Sequence, residues 1–218
     1  MEPTSIGVLG SGQVGRVLAA GFSERGHEVA IGTRAPEDND DLIAWAAGED
    51  GIAVGSFAAV AEGGDIVVLA TQGATVEEAI ALAGPQHFTG KVVIDATNPL
   101  EFSGGDPGLT VGHTDSGGEI VQRAIPGASV VKAFNTVGNA LMVDPELPGD
   151  APTMFIAGDD VDAKATVADV LADFGWRALD VGGIERSREL EALCILWVAA
   201  GQARGGAWDH AITLITPE

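Results

Sequence analysis

Ile6-Gly7-Val8-Leu9-Gly10-Ser11-Gly12-Gln13-Val14-Gly15 reads as a short apolar strand, a turn made of glycines and the opening of a helix. Each glycine has its own reason: Gly10 for a tight turn, Gly12 to let backbone N–H groups approach a pyrophosphate, and Gly15 to let the helix lie close on the strand. Phosphates bound there would sit at a helix N-terminus, where unpaired N–H groups and the helix dipole both favour anions. Val14, Val17, Leu18, Gly21 and Phe22 follow at helical spacing, so the turn has a strand before it and a helix behind it. Gly10, Ser11, Gly12, Gln13, Val14 and Gly15 are therefore the first candidate nucleotide-binding residues.

The next strand, residues 27–32, ends in Gly32-Thr33-Arg34. A dinucleotide fold that selects NAD places an acidic residue there, about 20 residues beyond the glycines, to hold the ribose 2′-hydroxyl. A hydroxyl and a guanidinium suit a 2′-phosphate instead, because Arg34 can offer it a bidentate, charge-assisted pair. Thr33 and Arg34 thus point to NADP(H) as the cofactor.

Apolar runs at 52–54, 65–70, 92–95 and 128–133 read as further strands, the longer ones buried and parallel. Their carboxyl ends are Thr71-Gln72-Gly73, Ala96-Thr97-Asn98 and Phe134-Asn135-Thr136. Ligands of open α/β sheets collect at such ends. Thr71, Gln72, Thr97 and Asn98 become candidates on the nucleotide side, with Phe134, Asn135 and Thr136 on the substrate side. Thr75 with Glu78, and Ser116 with Glu119, have capping-box spacing for helices that follow them. Residues 103–118 read as a glycine-rich loop, in which His113 and Asp115 are the nearby acid–base candidates.

After a proline- and glycine-rich connection at 145–152, the pattern is β-α-β-α-α. It has strands at 153–157 and 176–181, a helix at 161–174, a long helix at 184–202 and a last short helix at 208–215. Leu190, Leu193, Cys194, Trp197, Val198 and Gly201 form an apolar stripe on the long helix. The expected fold is α/β, a Rossmann-type doubly wound, mainly parallel sheet with a small C-terminal α/β extension. Its expected division is an NADP-binding domain over 1–150 and a portion over 151–218 that completes the substrate site.

Composition narrows the function. Net charge is −21, from 32 acidic residues against 11 lysines and arginines, so the electrostatic footprint of a nucleic-acid binder is missing. Cys194 is the sole cysteine, which excludes an intrachain disulfide and a multi-thiolate metal site. The four histidines show no ligand spacing, and no metal is expected. No apolar run approaches the roughly 20 residues of a membrane span, and no secretion signal precedes the first strand, so a cytoplasmic location is expected.

With these pieces in place the chain resembles the family of NADPH-dependent reductases of coenzyme F420, the deazaflavin-dependent NADP oxidoreductases. The likeness rests on Gly10-Ser11-Gly12-Gln13-Val14-Gly15, Gly32-Thr33-Arg34, Asp95-Ala96-Thr97-Asn98-Pro99-Leu100 and Val131-Lys132-Ala133-Phe134-Asn135-Thr136. It extends to residues 183–193, with Arg188-Glu189-Leu190-Glu191. The resemblance implies hydride transfer between NADPH and F420, a homodimer, Thr33 and Arg34 at the 2′-phosphate, and Asn98, Phe134 and Asn135 near the reacting rings. The architecture is also similar to the nucleotide-binding domain of membrane metalloreductases. A reductase of another acceptor (a flavin, quinone, metal chelate or small carbonyl compound) and a non-catalytic NADPH sensor are the other readings. For an anionic deazaflavin tail, Arg186 and Arg188 are the candidate cations, unless they pair with Glu185, Glu189 or Glu191.

Overall fold

The computed structural model describes residues 2–49, 51–103 and 105–215. Strand β1 (Ser5–Leu9) runs into the glycine turn and helix α1 (Gln13–Glu24), followed by β2 (Glu28–Thr33), α2 (Asp40–Gly48), β3 (Ile52–Ser56) and α3 (Phe57–Gly63). Next come β4 (Ile66–Leu69), α4 (Val76–Ala83), β5 (Val92–Asp95), a hairpin of β6 (Leu100–Ser103) and β7 (Asp106–Leu109), and α5 (Gly117–Ala124). The chain finishes with β8 (Ser129–Lys132), β9 (Thr153–Gly158), α6 (Val161–Asp173), β10 (Arg177–Asp180) and α7 (Ser187–Ala203).

Eight strands form one sheet in the order β10-β9-β8-β5-β4-β1-β2-β3. From β3 to β8 every pairing is parallel, which is the doubly wound order of a dinucleotide fold with its switch point between β1 and β4. The apolar runs build this layer because both faces are covered. Val67 and Leu69 of β4 enter one core with α3, α4 and α5, while Ile66 and Val68 enter the other with Phe22, Leu171 and Phe174. Strand β9 is antiparallel to β8, and β10 is parallel to β9. The carboxyl-terminal β-α-β therefore continues the same sheet, and α7 crosses back toward the ends of β5 and β8.

Three local expectations are corrected. Residues 103–118 are in part a hairpin: Leu100 pairs with Leu109 and Phe102 with Pro107, so cross-strand pairing replaces the loop; Gly104 lies outside the described residues. Thr75 does not cap α4, because residues 73–75 form a 3₁₀ turn and the Thr75 hydroxyl donates to the Gln72 carbonyl at 3.1 Å. Ser116 does cap α5, accepting from the Glu119 N–H at 3.2 Å. Finally, residues 208–215 are irregular rather than helical. Their polar groups find partners across the fold: the Thr213 hydroxyl accepts from the Thr153 N–H, and the Leu214 carbonyl accepts from Arg177.

Candidate functional site

The three glycines of the first turn do different work. A Cβ on Gly10, whose φ is +131°, would lie 2.5 Å from the Ala70 carbonyl oxygen, and one on Gly15 would lie 1.8 Å from the Gly10 carbonyl oxygen. Both are required by the fold itself. Gly12 has ordinary extended backbone angles, and a Cβ there would meet nothing within 4 Å. It faces open space, so the fold leaves room for any side chain at the one place where a ligand would approach the backbone. Gly12 is also the N-cap of α1 and supplies no side-chain cap, so the first N–H groups of the helix lack side-chain partners among the described residues.

That turn begins a groove along the carboxyl edge of the sheet, made of three cavities that share walls. The first, about 340 Å³, includes Gly10, Ser11, Gly12, Thr33, Arg34, Thr71 and Gln72. A second, about 360 Å³, includes Val14, Thr71, Gln72, Thr97, Asn98 and Phe102. The third, about 470 Å³, shares Val14, Asn98, Leu100 and Phe102 with the second, and continues to Phe134, Asn135, Trp197 and Trp208. The topology thus brings together the ends of β1, β2, β4, β5 and β8. Of the sequence candidates, Gln13 and Gly15 line none of the three cavities: Gln13 is exposed on α1 and Gly15 is packed beneath the turn.

Charge is distributed unevenly along this groove. Ten of the 11 basic side chains hold a carboxylate or a carbonyl or hydroxyl oxygen, whereas Arg34 is exposed and has no such partner among the described residues. It stands free although Glu37, Asp38, Asp40 and Asp41 follow it closely in sequence. Thr33 beside it is 9% exposed, with its hydroxyl 3.5 Å from the Asn39 amide. Where the first and second cavities meet, the buried Thr71 hydroxyl has no hydrogen-bond partner among the described residues. A free guanidinium and an open glycine turn at a helix start are groups that favour an anionic ligand.

At the other end, Asn98 and Asn135 are locked together. The Asn98 amide donates to the Asn135 carbonyl at 2.8 Å, and the Asn135 amide donates to Asn98 Oδ1 and to the Leu190 carbonyl, each at 3.0 Å. Asn135 is 2% exposed and lines the third cavity, and it holds Asn98, which borders both the second and third cavities. Phe134 delivers this arrangement from a left-handed backbone (φ +61°) while its ring lies in the core, 5.9 Å from that of Phe174. Thr97 donates its hydroxyl to Asp95 at 2.7 Å, so its side chain is committed below the groove.

Beneath these loops lies a cluster that the motif reading did not assemble. Lys132, Asp95 and Glu191 are each fully buried. The Lys132 ammonium donates to the Thr97 carbonyl at 2.9 Å and lies 2.8 Å from one oxygen of each carboxylate. Glu191 accepts the Gly117 and Gly118 N–H groups at the start of α5, at 2.9 and 3.0 Å. Burial pushes the lysine pKa down, but Asp95 and Glu191 together outweigh it and hold the pKa above the ordinary lysine value. The readable signal was a lysine and an aspartate ending otherwise apolar strands. Arg186 pairs with Glu189 on the helix surface, and Arg188 pairs with Glu119 of α5, so each already holds a carboxylate.

An α/β sheet of this order, with a glycine-turn groove at its switch point, defines a dinucleotide-binding protein of the Rossmann type. Residues 5–99 match the family described as NADP oxidoreductase, coenzyme F420-dependent. The chain is 30% identical to the F420-dependent NADP reductase of Methanothermobacter thermautotrophicus, over 87% of this chain and 85% of that one. It belongs to the family of F420-dependent NADP oxidoreductases. A proposed F420-dependent NADP reductase from Arthrobacter sp. FB24 superposes with a TM-score of 0.93 at 38% identity, covering 98% of this chain and all of the other. The metalloreductase STEAP3 of Rattus norvegicus is 29% identical over 88% of this chain, which spans 36% of that longer protein.

Proposed function

We propose that this chain transfers a hydride between NADPH and the deazaflavin coenzyme F420, working as a cytoplasmic homodimer. The observation that carries the NADP half is Arg34, unpaired at the end of β2 beside the open cradle at Gly12. Bound NADPH would supply the hydride donor, its dihydronicotinamide ring. Gly10, Ser11 and Gly12 would hold the pyrophosphate with backbone N–H groups, Thr33 and Arg34 the 2′-phosphate, and Thr71, Gln72, Val14 and Asn98 the wall toward the reacting ring. Residues 1–150 thereby form the nucleotide-binding portion. Residues 151–218 complete the acceptor side through α7 and the segment after it.

The second and third cavities are lined without histidine, lysine or carboxylate among the described residues. Cys194, which borders the third, is pushed up to about 11 by burial and stays protonated at neutral pH. Positioning two rings is then the chain's main task. A mixture of protein, NADPH and oxidised F420 should lose deazaflavin absorbance, and NADH should serve far less well; no loss with NADPH would remove the acceptor assignment. The apolar, aromatic lining of the third cavity favours one second reading, reduction of a quinone or flavin ring. Turnover of those acceptors without F420 turnover would select it.

Two substitutions test the roles. Arg34→Ala should raise the KM for NADPH about 10- to 100-fold, the worth of a bidentate charge-assisted pair of about 1.5–3 kcal/mol, while leaving NADH nearly unchanged. Equal losses for the two nucleotides would place the 2′-phosphate elsewhere. Asn135→Ala leaves Asn98 Oδ1 and the Leu190 carbonyl unpaired, at a cost of about 1–3 kcal/mol, and should lower kcat about tenfold with a smaller change in nucleotide KM.

A further inference from the structure

After α7 the chain turns at Gly205 and Gly206, with φ values of +75° and +87°, and runs back over the helix as an irregular strap to residue 215. The strap is fastened at several points. The Trp197 indole donates to the His210 carbonyl at 2.9 Å, and the His210 ring stacks on Trp197 at 4.9 Å and 16°. Thr213 bonds to Thr153 on β9, and Arg177 holds the Leu214 carbonyl. Trp208 continues the run of rings, 5.4 Å from Trp197 and inclined by 34°. Its indole fits a notch that exists because residue 201 is glycine: a Cβ there would lie 2.3 Å from Cζ3 of the ring. Trp208 borders the third cavity and remains 44% exposed.

We infer that Trp208 is the specificity-determining wall of the acceptor cavity, selecting a planar aromatic ring by stacking, and that the strap from 204 to 215 presents it. This rests on the reading of the third cavity as the acceptor site. The strap brings an aromatic ring to the same cavity that Asn98 and Asn135 line, and Leu100, Val137, Met142 and Val198 add apolar lining. A planar ring entering there covers the half-exposed indole and displaces water from both. Gly201 acts through Trp208: it is the space into which the indole seats.

The test compares the full-length wild type with Trp208→Ala, Trp208→Phe and Gly201→Ala. The last variant moves the indole without deleting it and adds a better helix former. Binding of oxidised F420 is measured by equilibrium dialysis in the presence of NADP, alongside KM values for F420 and NADPH. Trp208→Ala and Gly201→Ala should each weaken F420 binding and raise its KM about tenfold, with NADPH KM within about twofold, and Trp208→Phe should recover most of the loss. Unchanged F420 binding in Trp208→Ala overturns the assignment. So does weakened association between copies with unchanged F420 binding, which would make Trp208 a subunit contact. Wild-type protein that binds NADPH but neither binds nor reduces F420 would instead overturn the deazaflavin reading from which the assignment starts.

Discussion

Lys132→Met should lower stability by about 3–5 kcal/mol, the cost of removing one member of a buried ionic cluster. In a protein of this size that is a fall in melting temperature on the order of 10 °C. The ammonium is wholly buried and meets Asp95, Glu191 and the Thr97 carbonyl. Methionine matches its length but leaves two carboxylates facing each other away from water. The N–H groups of Gly117, Gly118 and Thr97 still compensate part of their charge, which keeps the loss below that of a bare buried pair.

Adding Asp95→Asn and Glu191→Gln to Lys132→Met should restore most of the stability, because the neutral amides retain acceptors for those N–H groups. A single variant as stable as wild type would show that the cluster is not ionic. The pH dependence has a definite sign. A lysine held above its unfolded value contributes stability that is fully present below the unfolded lysine pKa and is lost as pH rises through the folded one. Thermal melts of wild type should therefore show this contribution declining only in strongly alkaline buffer, and Lys132→Met should lack that decline.

Gly12→Val has the opposite profile: binding is lost and the fold is kept. Gly12 has backbone angles that valine also adopts, and beyond its two chain neighbours no described residue comes within 4 Å of its Cβ position. The melting temperature should therefore stay within a few degrees of wild type. The isopropyl group would occupy the cradle and hold phosphate oxygens away from the N–H groups at the start of α1. Losing two charge-assisted hydrogen bonds of about 1.5–3 kcal/mol each weakens binding by 100-fold or more, for NADPH and NADH alike. Calorimetric titration of both nucleotides against the folded variant checks it. Retained affinity would mean that the turn serves only the fold, as Gly10 and Gly15 do.

The contrast between these variants separates what could be read along the chain from what could not. The glycine turn, the NADP-favouring end of β2 and the strand ends at Thr71, Asn98 and Asn135 are local signals. Each depends on a residue's own backbone freedom or charge at a strand's carboxyl end, and the parallel α/β order follows from alternating apolar runs and helices. Thr75 and the segment 208–215 misled for a related reason: spacing permitted a cap and a helix, but hydrogen bonds to Gln72, Thr153 and Arg177 were stronger claims on the same groups.

The Lys132 cluster illustrates the rest. Asp95, Lys132 and Glu191 are separated in sequence yet meet within hydrogen-bonding distance, because parallel pairing puts Asp95 beside Lys132 and α7 returns across their ends. The sequence by itself determined the mainly parallel α/β class and the glycine turn, and it marked Arg34 at the end of β2, since these rest on short-range geometry and a single charge. Only the tertiary structure decided that Asn135 holds Asn98, that Arg34 alone stays unpaired among the described basic residues, and that Trp208 borders the third cavity. Those facts depend on which distant groups the fold makes neighbours, and hydrogen bonds, ion pairs and ring stacking act only over a few ångströms.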